Sequence, residues 1–299
     1  MIARRLKKLC YLPAYAVAIR ACGTKEPFRV KYPRWNEWYA DPFVCTDQGK
    51  SYVFVERMNS YHLDGEIAAA PIINGEIGDF KVVLHEPFHL SFPNVFLWRN
   101  TWYMLPESNM AGELRLYRAL NFPYDWTLDT VMWKERKLVD HALFPQDNGF
   151  LVVTHDVTDA KHRRNRMLAL DMQKKKVREI FPKGSWCRER PGGTFYQEGG
   201  KWRHVIQDCQ KAYGDYLHVY EVDAISEAVF DEHEIGCLTA DNVPFTPDNH
   251  RMEHLHTYNR DARYEVIDLQ YDKCYPDKFF IHQTHEVLKR IKGRKRKAR

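Results

Sequence analysis

The chain has 299 residues, 44% of them hydrophobic and 14% aromatic; that is enough to bury a large core and excludes an intrinsically disordered body. Its net charge of +5 is unevenly placed: 13 bases sit at the two ends without an acid, and the remaining 32 Lys and Arg face 40 Asp and Glu. An acidic body argues against nucleic acid as a partner.

Residues 1–30 read as a basic N-terminal segment carrying Arg4, Arg5, Lys7, Lys8 and Arg20. Met1 to Lys8 has the character of a signal-peptide n-region, but Arg20 follows the apolar stretch at once and no clean small-x-small cleavage site appears. The apolar stretch 9–19 contains Pro13 and is too short to span a bilayer. The N-terminus is thus open between a signal peptide and an amphipathic, helix-compatible segment lying on a membrane, the second at least as well supported.

From residue 31 to 283 one pattern recurs five times: a polar start, an apolar strand, a turn and a second, aromatic-rich strand. The copies are 41–44 with 52–56, 92–96 with 102–105, 141–144 with 150–153, 192–195 with 202–206, and 254–258 with 264–267. With Phe43, Val95, Leu143, Thr194 and His256 as equivalents, the steps are 52, 48, 51 and 62 residues. A period near 50 is what a blade of four strands and their turns occupies. Third strands follow at 65–70, 112–117, 166–170 and 216–220, and Asp and Gly at the turns supply positive φ. The longer last step leaves 239–252, with Pro244 and Pro247, as an irregular loop. The chain closes in a basic tail, 284–299, compatible with helix. The fold expected is all-β: a five-bladed β-propeller between two short basic extensions.

In a propeller the first strand of each blade lines the central channel, so residues at its start converge from distant parts of the chain. Those residues are Asp41, Pro93-Asn94, Asp140-His141, Glu189-Arg190, and His254 with His256. Glu107 ends an inner hairpin. Two or three carboxylates around one pocket are the minimal kit for glycosidic-bond chemistry, one ionised and one kept protonated. Arg190, Arg203, Gln207 and Asp208 form a polar cluster in the fourth repeat, as substrate contacts or as a network that fixes the blade. His254 and His256 alternate on one strand, a spacing that can hold a metal, although a histidine bonded to backbone is the commoner use and no metal is expected. Trp35, Trp38, Tyr39 and Trp186 near blade starts could stack on a sugar or pack in the core. The seven cysteines are widely spaced without a CxxC, which fits a reducing compartment better than zinc or a disulfide framework. No P-loop, GxSxG, HExxH or GxGxxG occurs, so no cofactor is expected.

The arrangement resembles the family 43 glycoside hydrolases. There a base Asp opens the first blade, a pKa-tuning Asp the third and an acid Glu the fourth. The resemblance implies these roles for Asp41, Asp140 and Glu189, spaced 99 and 49 residues apart. A closer likeness, from Trp38 to Asp268, is to the propeller at the start of plant glucosamine inositolphosphorylceramide transferases and to bacterial stand-alone relatives. It rests on Tyr39-Ala40-Asp41-Pro42-Phe43, the stretch 86–93, Leu105-Pro106-Glu107-Ser108, Leu116-Tyr117-Arg118-Ala119, the stretch 122–126, Gln207-Asp208-Cys209 with Tyr213-Gly214, and His256-Thr257. It implies a carbohydrate-active enzyme in which Asp41 is the base or charge stabiliser, Asp140 tunes or orients, and Glu107 or Glu189 supplies the second carboxylate. Arg190, Arg203, Gln207, Asp208, Tyr213, His256 and Trp38 become substrate contacts, and an arginine at the fourth blade suits a phosphorylated donor. The expected function is glycosyl transfer in surface polysaccharide or glycolipid synthesis, with a sugar donor and a glycan acceptor as partners. A furanosidase and a non-catalytic glycan-binding or scaffolding propeller are the alternatives. The basic ends and the cysteine usage suggest a cytoplasmic protein, peripheral at the inner face of the membrane.

Overall fold

A computed structural model describes residues 11–59, 61, 64–246, 250 and 252–275. The first strands are β1 (Tyr11–Ala21) and β2 (Arg29–Lys31). Blade one is β3 (Glu37–Asp47), β4 (Lys50–Asn59) and β5 (Glu66–Ile73), with β6 (Glu76–Ile77) and β7 (Lys81–Leu84) both against β5. Blade two runs β8 (Ser91–Trp98), β9 (Thr101–Glu107), β10 (Glu113–Asn121) and β11 (Asp125–Lys134). Blade three runs β12 (Leu138–Gln146), β13 (Gly149–Asp156), β14 (Arg164–Asp171) and β15 (Lys176–Ile180). Blade four runs β16 (Tyr196–Glu198), β17 (Lys201–Asp208), β18 (Tyr216–Ile225) and β19 (Phe230–Leu238). In blade five, β20 (Met252–His254) and β21 (Tyr258–Arg260) form the inner edge and pair with β22 (Tyr264–Cys274). The outer half of that blade is β1 and β2, from the other end of the chain.

Two expectations change here. The stretch Tyr11–Ala21 is not part of a separate helix-compatible segment; it pairs antiparallel with β22, from Tyr11 opposite Cys274 to Ala21 opposite Tyr264. The propeller therefore includes residues well before 31. The reason is burial on both faces: Ala14, Ala16, Val17, Ala18 and Ile19 are all enclosed, and a strand covered on both sides shows no alternation to separate it from a helix. Arg20, counted above among the free basic charges, is engaged with Glu265 at 2.6 Å. The proposed C-terminal boundary at 283 and the tail 284–299 lie outside the described residues.

Closure of the ring is visible in the core. Each of the five blade-to-blade interfaces has its own apolar cluster. Phe43, Phe54, Phe92, Met104 and Tyr117 join blades one and two, and Leu105, Leu116, Leu143 and Val152 join two and three. Phe144, Val153, Phe195 and Phe230 join three and four. Val205, Leu217, Leu255 and Ile267 join four and five, and Val17, Ile19, Val53 and Val55 join five and one. Buried apolar surface contributes roughly 25 cal/mol per Å², so the sheets are held mainly face to face.

The inner strands are also tied in a circuit of hydrogen bonds. The Phe92 N–H donates to Asp41 Oδ2 (3.1 Å), the Asn94 amide to the His141 carbonyl (2.8 Å), and the Leu143 N–H to Thr194 Oγ1 (3.0 Å). The Thr194 N–H then donates to Asn259 Oδ1 (2.8 Å), and the Asn259 amide to the Pro42 carbonyl (2.9 Å). In the first three blades the inner strand breaks register at one level, between Ala40 and Phe43, Ser91 and Asn94, and Val139 and Ala142. The residue at each break has positive φ: Asp41 (50°), Phe92 (46°) and Asp140 (53°). Such a backbone costs roughly 1–3 kcal/mol outside glycine and re-aims a side chain. In two of the three blades the re-aimed residue is an aspartate.

Candidate active site

The bulges of blades one and three turn Asp41 and Asp140 into a cavity of about 340 Å³ where the five sheets converge. Its lining also includes Glu56 and Glu107, from the second strands of blades one and two, with Arg190, His256, His89, Trp38, Tyr213 and Tyr15. Register explains the pairing of positions: Glu56 lies opposite Ala40 and Glu107 opposite Ser91, each one residue before a bulge.

Asp41 is the most tightly held group. Its Oδ1 accepts from the Thr257 hydroxyl at 2.9 Å and lies 3.2 Å from His256 Nε2, and its own N–H donates to Asp268 Oδ2 at 3.1 Å. Burial works to raise its pKa, but the His256 hydrogen bond and charge, the Thr257 hydroxyl and the Phe92 amide outweigh it. Asp41 is held below its ordinary value and stays ionised. His256 sits between two carboxylates, with Nδ1 3.0 Å from Asp268 Oδ2. Burial opposes its protonation, yet the surrounding negative groups, Asp268 first, hold its pKa well above the ordinary value.

The other carboxyls go the opposite way. Burial, with the charges of Asp41 and Glu107, pushes Glu56 well up. Burial and the charge of Asp140 do the same to Glu107, whose Oε1 accepts from the Asn109 amide at 2.7 Å. Asp140 is raised by burial against the pull of Arg190, whose Nε donates to Asp140 Oδ2 at 2.5 Å. An ionised Asp41 beside Glu56 and Glu107, whose pKa values are pushed well up, is the division of labour that acid and base catalysis of a glycosidic bond requires.

Of the residues singled out from sequence, Asp41, Asp140, Glu107, Arg190, Tyr213, His256 and Trp38 line the cavity. Glu189 does not: its side chain is exposed, and its backbone carbonyl accepts from the Asn165 amide. Arg203 is also elsewhere, paired with Glu198. Gln207 is buried beneath the site, its amide donating to the Pro191 carbonyl (2.7 Å) and its N–H to the Arg190 carbonyl (2.8 Å), so it fixes the backbone that presents Arg190. Asp208 anchors the loop that carries Tyr213, accepting from the Gln210 N–H at 2.9 Å while its carbonyl accepts from the Asp215 N–H at 2.9 Å. Gly214 in that loop has φ of 59°, and a Cβ there would lie 2.3 Å from His256 Cβ, so only glycine lets the loop close on the site. Arg190 lies 5.1 Å over the Tyr213 ring.

His254 pairs with Asp215 at 2.8 Å instead of acting with His256. Among the described residues, Asp41, His256 and Asp268 are the one grouping close enough to share an ion, but their donor atoms already face one another. Of the four aromatics considered, only Trp38 reaches the cavity. Trp186 is buried against Phe230, the Tyr39 hydroxyl donates to Glu37 at 2.8 Å, and Trp35 is largely exposed. Sequence reasoning missed Glu56, His89 and Tyr15. Tyr15 comes from β1, donates its hydroxyl to Gln270 (2.9 Å), and meets His256 edge-on at 5.1 Å.

A five-bladed propeller with carboxyl groups gathered at its centre is the architecture of the furanosidase-type proteins, and solved structures agree on the fold. The chain aligns with a β-xylosidase/α-arabinofuranosidase of glycoside hydrolase family 43 from a compost metagenome (TM-score 0.52, 14% identity, 85% of this chain and 94% of that one). It aligns similarly with the catalytic domain of a family 62 α-L-arabinofuranosidase from Coprinopsis cinerea (0.53, 12%, 86% and 98%) and with a protein of unknown function from Dyadobacter fermentans (0.56, 10%, 85% and 99%). The chain belongs to the family described as glucosamine inositolphosphorylceramide transferase 1, N-terminal, whose model matches residues 14–262. It is 30% identical over 210 residues to glucosamine inositolphosphorylceramide transferase 1 of Arabidopsis thaliana, covering 67% of this chain and 27% of the relative. It is 29% identical over 224 residues to the protein of the same name from Oryza sativa subsp. indica, covering 72% and 29%. The chain thus spans less than a third of the length of the curated relatives it matches.

Proposed function

We propose that this propeller is a glycosyltransferase-like enzyme that moves a sugar from a donor to a glycan or glycolipid acceptor in surface polysaccharide or glycolipid synthesis. The observation that carries the reading is the split between Asp41, held ionised, and the protonated carboxyls around the same cavity. In this reading Asp41 accepts the acceptor's proton or stabilises the oxocarbenium-like centre. Glu107 and Asp140 with Arg190 shape the other wall, and Trp38 and Tyr213 pack on the sugar. The relatives' name supports transfer, but it belongs to proteins of which this chain covers only part.

The test is a panel of sugar donors and glycan acceptors, with products read by mass spectrometry. Asp41→Asn is expected to lower turnover by about 10²–10⁴-fold, the range for a lost acid–base group, with the fold intact by circular dichroism. Sugar release without transfer would replace this reading with a furanosidase. Binding without turnover would replace it with a glycan-binding module.

We further propose a cytoplasmic location, peripheral at the inner membrane face. The six described cysteines, all free, and the basic clusters at 4–8 and 289–299 support it.

A further inference from the structure

We propose that Glu56, positioned by His89, is the proton donor of this site, and that the donor substrate is a glycoside whose leaving group is a sugar or polyol hydroxyl and not a phosphate. The assignment rests on the glycosyl-transfer reading above.

The geometry begins at Gly65. Its N–H donates to His89 Nδ1 at 2.9 Å, which makes Nδ1 the acceptor and leaves the ring proton on Nε2. His89 Nε2 lies 3.3 Å from Glu56 Oε1. The three groups are locked together, because a Cβ at Gly65 would fall 2.9 Å from His89 Cε1, 3.0 Å from Glu56 Oε1 and 2.6 Å from the Leu90 carbonyl. With Oε1 facing an N–H, the acid proton of Glu56 belongs on Oε2. Both Glu56 and His89 line the cavity.

Glu56 differs from Glu107 in what it senses. The charge acting most strongly on Glu107 is that of Asp140, which Arg190 already counters; the charge acting most strongly on Glu56 is that of Asp41. Asp268 adds to this and His256 opposes it. When Asp41 takes up a proton, the main charge that keeps Glu56 protonated disappears, and Glu56 becomes a stronger acid at that moment.

The step balances within the site. The acceptor oxygen bonds to the anomeric carbon as its proton passes to Asp41. The bond from that carbon to the leaving oxygen breaks, with the electron pair on oxygen, and the Glu56 proton moves to that oxygen. Asp41 ends protonated and Glu56 ionised, and one proton passing between these neighbours restores the start. An alkoxide leaving group needs such a donor, whereas a nucleoside diphosphate leaves as a stable anion and needs none. A diphosphate would also face the ionised Asp41, with Arg190 already paired to Asp140 and His256 held between two carboxylates.

The experiment compares wild type, Glu56→Gln and Glu107→Gln on three donor types sharing one sugar: an alkyl glycoside, a 2,4-dinitrophenyl glycoside and a nucleoside diphosphate sugar. Wild type is expected to use the two glycosides and not the nucleotide sugar. Glu56→Gln should lose about 10²–10⁴-fold in kcat on the alkyl glycoside and little on the dinitrophenyl glycoside, which leaves without a proton. Glu107→Gln should show no such difference between leaving groups. A Glu56→Gln defect equal for both glycosides, or efficient use of the nucleotide sugar, overturns the assignment while leaving glycosyl transfer standing. A wild type that turns over none of the three sinks both readings. For His89 the readout is ¹⁵N NMR of its ring near neutral pH, where the neutral Nε2–H form is expected. A doubly protonated ring would make Glu56 an ionised partner and overturn the proposal without any assay of activity.

Discussion

Asp41 and Glu107 show how one cavity gives chemically similar groups opposite protonation. Asp41 has a hydroxyl, an amide N–H and an imidazolium directed at it, whereas Glu107 is buried near Asp140. The consequences for stability have opposite signs. The folded pKa of Asp41 is depressed, so its contribution is present above the ordinary 3.8 and fades as pH falls through the lower folded value. Glu107 is raised, so its contribution is full below the ordinary 4.5 and is lost as pH rises through the folded value, at about 1.4 kcal/mol per pH unit inside that window. Glu107→Gln carries no charge to bury. Thermal unfolding followed by circular dichroism should therefore show the variant melting above wild type at pH 8, with the gap closing near pH 4. Equal melting temperatures at both pH values would mean Glu107 is not held protonated by the fold.

At the scale of strands, the inner hairpins were legible because each couples an apolar run to a turn at a near-constant interval, and the bulged aspartates stand at the starts of those runs. The second-strand tips carry an equally regular signal that the focus on strand starts passed over. Val53-Phe54-Val55 ends in Glu56, Met104-Leu105-Pro106 in Glu107, Val152-Val153-Thr154 in His155, His204-Val205-Ile206 in Gln207, and Glu265-Val266-Ile267 in Asp268. In blades one and two the acid that closes the apolar run, Glu56 or Glu107, marks where the sheet meets the cavity. Glu189 misled for the converse reason: blade four starts with an irregular segment whose register is set by the single Pro191–Ile206 bridge, and no interval predicts which way its side chains turn. Strand β1 was hidden because its small, doubly buried residues have no amphipathic period. That burial makes it sensitive. Ala16 is fully buried and lies opposite Leu269, so Ala16→Asp places an unpaired charge between sheets at a cost of several kcal/mol. Limited proteolysis should then cut within 252–274 at protease levels that leave wild type whole, and an unchanged cleavage pattern would refute the role given to β1.

Over the whole molecule, charge and topology are arranged separately. The acidic excess belongs to the body and the basic excess to the ends, so attraction to a lipid surface should be local and salt-dependent. Flotation with vesicles containing phosphatidylglycerol should recover the chain at low salt and lose it as salt rises. Removal of residues 288–299 should weaken recovery, whereas equal flotation with pure phosphatidylcholine would remove the electrostatic basis of the membrane proposal. The pairing of β1 with β22 has a further consequence for the order of synthesis. The ribosome makes β1 before, and its partner β22 after, every other described strand, so while the blades between them are being made a ready-made hydrogen-bonding edge, lined with alanine, valine and isoleucine, has no mate. Until the final blade emerges, Tyr15 has no His256 to rest against. A nascent chain that stalls before residue 264 would therefore both lack a closed fifth blade around the cavity and be prone to pair its orphan edge with another chain.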